Sequence, residues 1–331
     1  MKGFRQFILA SENNKEYSTI PEFNDYNFKS NQEKNDKIPK NSQKIPDFND
    51  YDFVSQHKKD SIKESIKWLI ESGDWSHLTQ HIRDNSLEQM GLDPKENEFS
   101  MHDIGLNKER NEGRGDLIDK LKLHHNNFTP DHIKTIKRFT ADSWPLNNYL
   151  MNKKSFKPNP FLQNDTKENH EKFNENLLSV INHHPKYPEG HYVLSGIGTK
   201  LNNDPLKPVR ENGVVKHKIW VSSSPNHTIA RSFSGTDSNG HNNLTRIYIP
   251  GANETLSKNS PSVPFIGHHS LLSSEDESLI PPGHVIYHPK PTIIKSKYSD
   301  NIFHMYHGVY VPRNTALEIH KKIQNIKNGV E

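Results

Sequence analysis

The sequence predicts an α+β protein, a helical front part followed by a β-rich back part. Two observations carry this. Up to about residue 184 apolar residues recur at helical spacing, as in Ile133, Ile136 and Phe139 and again in Phe173, Leu177, Val180 and Ile181. From residue 190 onward they gather in short runs separated by turn residues, the pattern of brief strands. A third observation bounds the folded part. Only 31% of the 331 residues are hydrophobic, and the mean hydropathy is −0.92. The deficit is concentrated in residues 11–60, rich in Asn, Lys, Asp, Ser and Pro, which bury too little surface to offset ordering entropy.

Taken in order, residues 1–57 read as a disordered tail. Its apolar start, MKGFRQFILASENN, is too short for a secretory signal. Two copies of one motif lie in it, IPEFNDYNF at 20–28 and IPDFNDYDF at 45–53, either linear docking segments or a neutral duplication. A helical region is expected over 58–128: Asp60 caps a helix carrying Ile62, Ile66, Leu69 and Ile70 to near Gly73, and a short helix follows from Trp75 to Ile82. The third region, 129–331, starts at Thr129-Pro130, an N-cap with proline in the first turn. Helical pattern runs on both sides of a Ser143-Trp144-Pro145 break, and the Phe173–Ile181 stripe stops at Pro185. Strands are expected at 191–197, 218–223, 244–249, 277–280, 284–288 and 303–311. A last helix from Asn314 places Ala316, Ile319, Ile323 and Ile326 on one face.

Several function classes are disfavoured. Forty-three basic and 40 acidic residues give a net charge of +3, with no basic stripe interleaved with aromatics, so no nucleic-acid partner is indicated. With no cysteine there is no disulfide framework and no thiolate site. No apolar run approaches 18 residues, hence no membrane span is expected. Among 21 histidines, His77 and His81 share a helix face, and His183-His184 and His268-His269 are pairs. None has a recognisable third ligand, so they read as surface residues and no metal is expected.

Four blocks carry chemistry. Residues 275–277 are Glu-Asp-Glu, and in a strand residues two apart face one side, so Glu275 and Glu277 address one spot. Paired carboxylates manage charge at a sugar C1 carbon, although alone such a pair is equally a solvated surface. Upstream, Trp220-Val221-Ser222-Ser223-Ser224 is an apolar strand ending in hydroxyls, or a strand with an N-capping serine, and Phe233 follows nine residues on. Residues 187–198, YPEGHYVLSGIG, form a turn, a strand and a Gly-rich exit; residues 136–150, IKRFTADSWPLNNYL, are the helical block.

In this order and spacing the blocks resemble the ADP-ribosyltransferases of the Arg–Ser–Glu type, over about residues 130–290. The matching positions are Phe139-Thr140 with Asn147 and Leu150, Leu194-Ser195-Gly196, Trp220 through Ser224 with Phe233, and Glu275-Asp276-Glu277. The chain is most similar to the internal-head enzymes of T-even-type phages, which share the Pro-Glu-Gly start of the first strand. Its leader resembles those of capsid-targeted phage proteins, and Ile20-Pro21-Glu22 is similar to a prohead-protease site.

The resemblance implies a two-sheet β core and NAD as substrate, with ADP-ribose passed to a side chain of a host protein, arginine where Glu stands at 275. It implies Glu277 as the catalytic carboxylate for the ribose 2′-OH, Glu275 as the acceptor's partner, and Ser222 hydrogen-bonded to Glu277. Ser223, Ser224, Phe233, Gly196 and Asn147 would serve NAD, Phe233 by stacking on nicotinamide and the Gly196 backbone by binding its carboxamide. Residues 265–274 would face the acceptor. A monomer, carried inside the virion and then released into host cytoplasm, is the implied setting. One position departs: the arginine expected to clamp the NAD phosphates is Ser195, which offers no charge. Lys200, Arg210, Arg231 or Arg246 would have to replace it. Otherwise the chain is an impaired or dead transferase, kept as a binding module or as a packaged protein.

Overall fold

The computed structural model describes residues 75–101, 121, 128–159, 165–197, 213–236, 240–257, 260–271, 276–296 and 301–327. The tail with its repeat, the helix expected after Asp60, and Lys200, Arg210 and Glu275 lie outside these residues. Among the described residues the elements run α1 (Trp75–Gln89), β1 (Glu98–Ser100), α2 (Pro130–Ala141), α3 (Trp144–Met151), α4 (Lys167–His183), β2 (His191–Ile197), β3 (Val214–His217) and β4 (Val221–Ser223). They continue with α5 (His227–Ser232), β5 (His241–Ile249), β6 (Ser278–Ile280), β7 (Gly283–Tyr287), β8 (Thr292–Lys295), β9 (Ile302–Val311) and α6 (Arg313–Lys327). The α+β class holds. None of the described helices is long and apolar enough to cross a membrane.

Local chemistry sets the helix starts. Thr129 caps α2 by accepting from His132 N at 3.3 Å, while His132 Nδ1 accepts from Thr129 N at 3.4 Å. This reciprocal box works with histidine in place of the usual glutamate. Asp142 Oδ1 accepts from Trp144 N at the break, and Pro145 lies in the first turn of α3 where its missing N–H costs nothing. Thr166 caps α4, which ends at His183 ahead of Pro185.

Seven strands form one sheet, in which β9 is the spine. One edge of β9 runs parallel to β5, and β2 pairs antiparallel on β5. The other edge is shared: β8 takes Ile302–Met305 and β7 takes Gly308–Val311. β1 extends β8, and β3 extends β7. Thus α1 packs on the large sheet and β1 extends it.

The two faces of that sheet carry different layers. Tyr192, Tyr248, Ile286, Val309 and Val311 bury against Leu78 and Ile82 of α1 and Ala316 and Ile319 of α6. Val193, Ile247, Val285, Tyr287 and Tyr306 face the other way and meet Ile280 of a two-stranded sheet, β4–β6. Behind that small sheet, Trp220 and Leu279 pack on Ile136, Phe139, Tyr149, Phe173 and Leu177 of α2–α4. The small sheet is therefore sandwiched between the large sheet and the three helices.

Candidate active site

The seam between the two sheets is made at β2. Its outer edge accepts Ser224: Leu194 N donates to Ser224 O and Ser224 N to Leu194 O, both at 2.8 Å. Trp220, fully buried, sets the start of β4 without a strand partner. Asn147 supplies the pairing, its Nδ2 donating to Trp220 O at 3.1 Å and its Oδ1 accepting from Trp220 N at 3.0 Å. A side-chain amide thus mimics a strand neighbour. Asn147 is itself buried, so both halves of its amide are used inside the protein to hold Trp220.

The three serines then divide the work. Ser222 lends its carbonyl to Ser195 Oγ at 3.0 Å. Ser223 Oγ donates to Ser278 O at 3.0 Å, locking β4 to β6. Ser224 Oγ accepts from Asn226 N at 3.0 Å, and Asn226 Oδ1 from Ile229 N, so α5 is capped by Asn226 and braced by Ser224.

Glu277 stands at the mouth of this arrangement. The last pair of the small sheet is Ser223 with Ser278, so Ser224 and Glu277 are the next positions on the two strands. Ser224 in turn is paired with Leu194. Glu277, Ser224 and Leu194 therefore follow one another across the seam, with Ser195 and Gly196 next along β2. The Glu277 side chain is 5% exposed. Burying a carboxylate is costly unless donors hold it; Ser270 Oγ donates to its Oε2 at 3.3 Å. The preceding residue, Asp276, has φ 45°, a left-handed conformation that a short polar side chain tolerates better than most. Glu275, the partner carboxylate, lies outside the described residues.

Gly196 faces α5 with no room for a side chain: a Cβ there would lie 2.4 Å from Ala230 O and 2.6 Å from the Phe233 carbonyl carbon. Glycine is required for the close approach. It brings Phe233, only half-buried and outside the hydrophobic clusters, beside the end of β2.

The two described arginines that could replace the missing clamp are engaged elsewhere. Arg246 pairs with Leu194, and directly opposed residues share a face, so it projects from the side of β2–β5 opposite to Ser195. It is stacked on Tyr192 at 4.7 Å, and burial pushes its pKa down to about 10. Arg231 lies over the Phe303 ring at 5.3 Å. Arg246 is thereby held on the α1 side of the sheet, and Arg231 projects from α5 toward Phe303. Ser195 itself is 4% exposed.

Histidine burial corrects the surface reading. His184, His191, His284, His288 and His307 are all buried. His307, for one, lies between Thr292 Oγ1 and Ser86 Oγ at 2.9 Å each, tying α1 to the sheet. Burial lowers the affinity of His191, His284, His288 and His307 for a proton, to a pKa of about 4 for His191 and His284. Among the described residues no group of three or more His, Asp or Glu is placed to hold a metal ion.

No protein-family model matches the chain, and no curated protein does. Solved structures similar to it include an ADP-ribosyltransferase toxin of Paenibacillus larvae, 14% identical over 60% of this chain and 96% of that one, with a TM-score of 0.44. A second is an ADP-ribosyltransferase toxin of Vibrio splendidus, 17% identical over 63% of this chain and 87% of that one, TM-score 0.39. A third is the ADP-ribosylating toxin of a binary enterotoxin of C. perfringens, solved with NADH, 15% identical over 59% of this chain and 48% of that one, TM-score 0.42.

Proposed function

We propose that the chain is an NAD-dependent mono-ADP-ribosyltransferase that passes ADP-ribose to a side chain of a host protein, arginine being the acceptor that Glu275 would serve. One observation carries the reading. A buried carboxylate, Glu277, immediately precedes the β6 strand beside the Ser224–Leu194 seam, where the sequence blocks converge. NAD is the substrate, and the chain offers groups suited to it: a half-buried aromatic ring at Phe233 beside a side-chain-free backbone at Gly196, and an anion next to both strands.

In the proposed reaction the bond from ribose C1′ to nicotinamide nitrogen breaks, its electron pair leaving with nicotinamide. The acceptor nitrogen supplies the pair for the new C1′ bond, and its proton passes to Glu275. Positive charge builds on the ribose in between. Glu277 accepts from the 2′-OH, and that bond strengthens as charge grows, the differential effect catalysis requires. Ser222, Ser223 and Ser224 act through the strand by fixing the seam.

The test is incubation with labelled NAD and a host lysate, wild type against Glu277→Gln. Label on protein with the wild type and none with the variant is expected; equal labelling removes the assignment. A second reading, a fold that binds without transferring, is favoured by Ser195. Its side chain is buried and engaged with Ser222 O, and the two described arginines considered for the clamp are held elsewhere. Binding of NAD with no release of nicotinamide would select it.

A further inference from the structure

We propose that Ser270 is the positioning residue of the Glu277 carboxylate and that Thr140 fixes the turn that carries it; the role in turnover rests on the reading above. No sequence pattern points to either contact, and seven residues separate Ser270 from its partner, 131 separate Leu271 from Thr140.

The geometry is a closed circuit of hydrogen bonds. Segment 264–266 runs beside β6, with Leu279 N donating to Pro264 O at 2.9 Å and Ile266 N to Glu277 O at 2.7 Å. The chain then reverses in one turn, His269 N and Ser270 N both donating to Ile266 O at 2.9 Å. Gly267 is needed at the reversal, since a Cβ would sit 2.9 Å from Phe265 and 3.1 Å from Glu277 N. Two backbone links, one on each side of Ile266, therefore set where Ser270 stands relative to Glu277. Its hydroxyl, in a side chain 8% exposed, donates to Oε2 at 3.3 Å. That is long for an O–H···O bond.

The exit of the turn is pinned from outside. Leu271 N donates to Thr140 Oγ1 at 3.1 Å. Thr140 is in the last turn of α2, whose Ile136 and Phe139 are buried in the helical core. Leu271 is itself 57% exposed, so the tether and not side-chain burial holds this point of the loop. The line from core to carboxylate is α2, Thr140, Leu271, Ser270, Glu277. Fixing one carboxylate oxygen selects the side-chain rotamer before substrate arrives, which is what pre-organisation demands of a group that must meet a 2′-OH.

The experiment measures nicotinamide release and crystal structures for wild type, Ser270→Ala, Ser270→Thr, Thr140→Val and Thr140→Ser. Ser270→Ala should lower kcat about tenfold, the order that a hydrogen bond to a charged group is worth, with KM for NAD little changed. Ser270→Thr should restore it, which a merely structural defect would not. Thr140→Val should act in the same direction by a smaller factor and Thr140→Ser should match wild type; these variants carry the test if Ser270→Ala does not fold. In the crystal, Glu277 should leave its wild-type rotamer in Ser270→Ala and keep it in Ser270→Thr. That readout stands even if the wild type releases no nicotinamide, an outcome that would remove the transferase reading alone. Wild-type kcat in Ser270→Ala, or an unmoved Glu277 rotamer, overturns the proposal.

Discussion

Glu254 and Glu277 are hidden to the same degree, each 5% exposed, and are held in opposite ways. Glu254 accepts from Tyr248 Oη at 2.8 and 2.9 Å and from two backbone amides, Gly190 N at 2.9 Å and Gly251 N at 3.0 Å. Both glycines close on it with no space for a side chain: a Cβ at Gly190 would lie 2.5 Å from Glu254 Oε1, and one at Gly251 2.5 Å from the Glu189 carbonyl carbon. Backbone amides do not swing. This carboxylate is an anchor joining the start of β2 to the turn after β5. Glu277 meets instead a hydroxyl rotor at 3.3 Å, follows a left-handed Asp276, and rides on a sheet of two strands. The donors to Glu254 include two rigid backbone amides and those to Glu277 include a hydroxyl that can turn, a difference that would suit Glu277 to the role proposed above.

The largest effect that sharpens this contrast is on turnover. Glu277→Gln keeps shape and loses charge, so transfer should fall by about a hundredfold or more, the scale on which one electrostatic stabiliser acts. Its thermal midpoint should stay close to wild type. Turnover in the mirror variant, Glu254→Gln, should be unchanged per folded molecule. Paired activity and melting measurements on the two variants check this, and the contrast breaks if both lose activity equally.

Acid should loosen the frame. His191, next to Gly190, and His284 of β7 are buried neutral with pKa values of about 4. The cause in both is burial, aided at His284 by Lys216 and Arg313 and at His191 by His184. Their folded pKa lies below the unfolded value of 6.5, so the unfolded chain binds more protons between the two. Their contribution is present above pH 6.5 and is lost as pH falls from 6.5 toward 4. At the limit His191 is worth on the order of 3 kcal/mol, and His284, which solvent screens, less. Denaturant titrations from about pH 7 to 4 should show stability falling through this window, and His191→Phe should flatten the fall. A flat profile in the wild type would remove these histidines from the account.

Glu254→Gln itself comes next in size. It leaves the Tyr248 hydroxyl and two amides facing a neutral group, one of whose atoms is a donor. Losing a charge-assisted set of this kind costs about 2–4 kcal/mol. For a domain of this size that is a fall in Tm of several degrees, and Tyr248→Phe should cost less because the amides remain. A Tm within a degree of wild type for both would show that the anchor reading is wrong.

These contrasts bear on how much of the molecule is legible in its sequence. Strand β2 falls on the expected 191–197, and β9, β6 and β7 lie within a residue or so of expectation, because each has its own apolar run. Strands β1, β3 and β8 have no such signal. They are three or four residues long and exist through their neighbours, β8 by lying between β1 and β9. Helix α1 runs past the expected end at Ile82 to Gln89, through the polar run Asp84-Asn85-Ser86. Those polar residues are used inward or locally: Asn85 Oδ1 accepts from Tyr192 Oη, Ser86 bonds His307, and Asp84 pairs with Arg83. In the site, Glu277, the serine run, Gly196 and Phe233 are legible as local motifs. Ser270, Thr140's tether and the Asn147–Trp220 clamp are not, since a lone hydroxyl or amide in a sequence does not say which distant backbone it meets.

The smallest effect concerns Ser195, where the sequence favours a different outcome. A missing phosphate clamp suggests that Ser195→Arg should raise NAD affinity. In the structure that residue is already engaged on both sides. Its Oγ donates to Ser222 O at 3.0 Å, and its carbonyl accepts from Thr245 Oγ1 at 3.4 Å. It therefore stitches β2 to β4 on one side and to β5 on the other. Ser195→Ala removes one neutral hydrogen bond and should cost about 1 kcal/mol, with turnover lowered only as far as the seam loosens. Ser195→Arg introduces a long cation at a position 4% exposed and must part the two sheets to admit it, so it should lower Tm by more than the alanine does. Melting curves and NAD calorimetry on the two variants separate the accounts. A lower Tm for Ser195→Arg with no gain in NAD affinity makes Ser195 a seam residue. Tighter NAD binding at unchanged Tm would instead mean that the side chain leaves the seam for the phosphates, and the contrast between rigid frame and adjustable site would then have to be drawn through β2 itself.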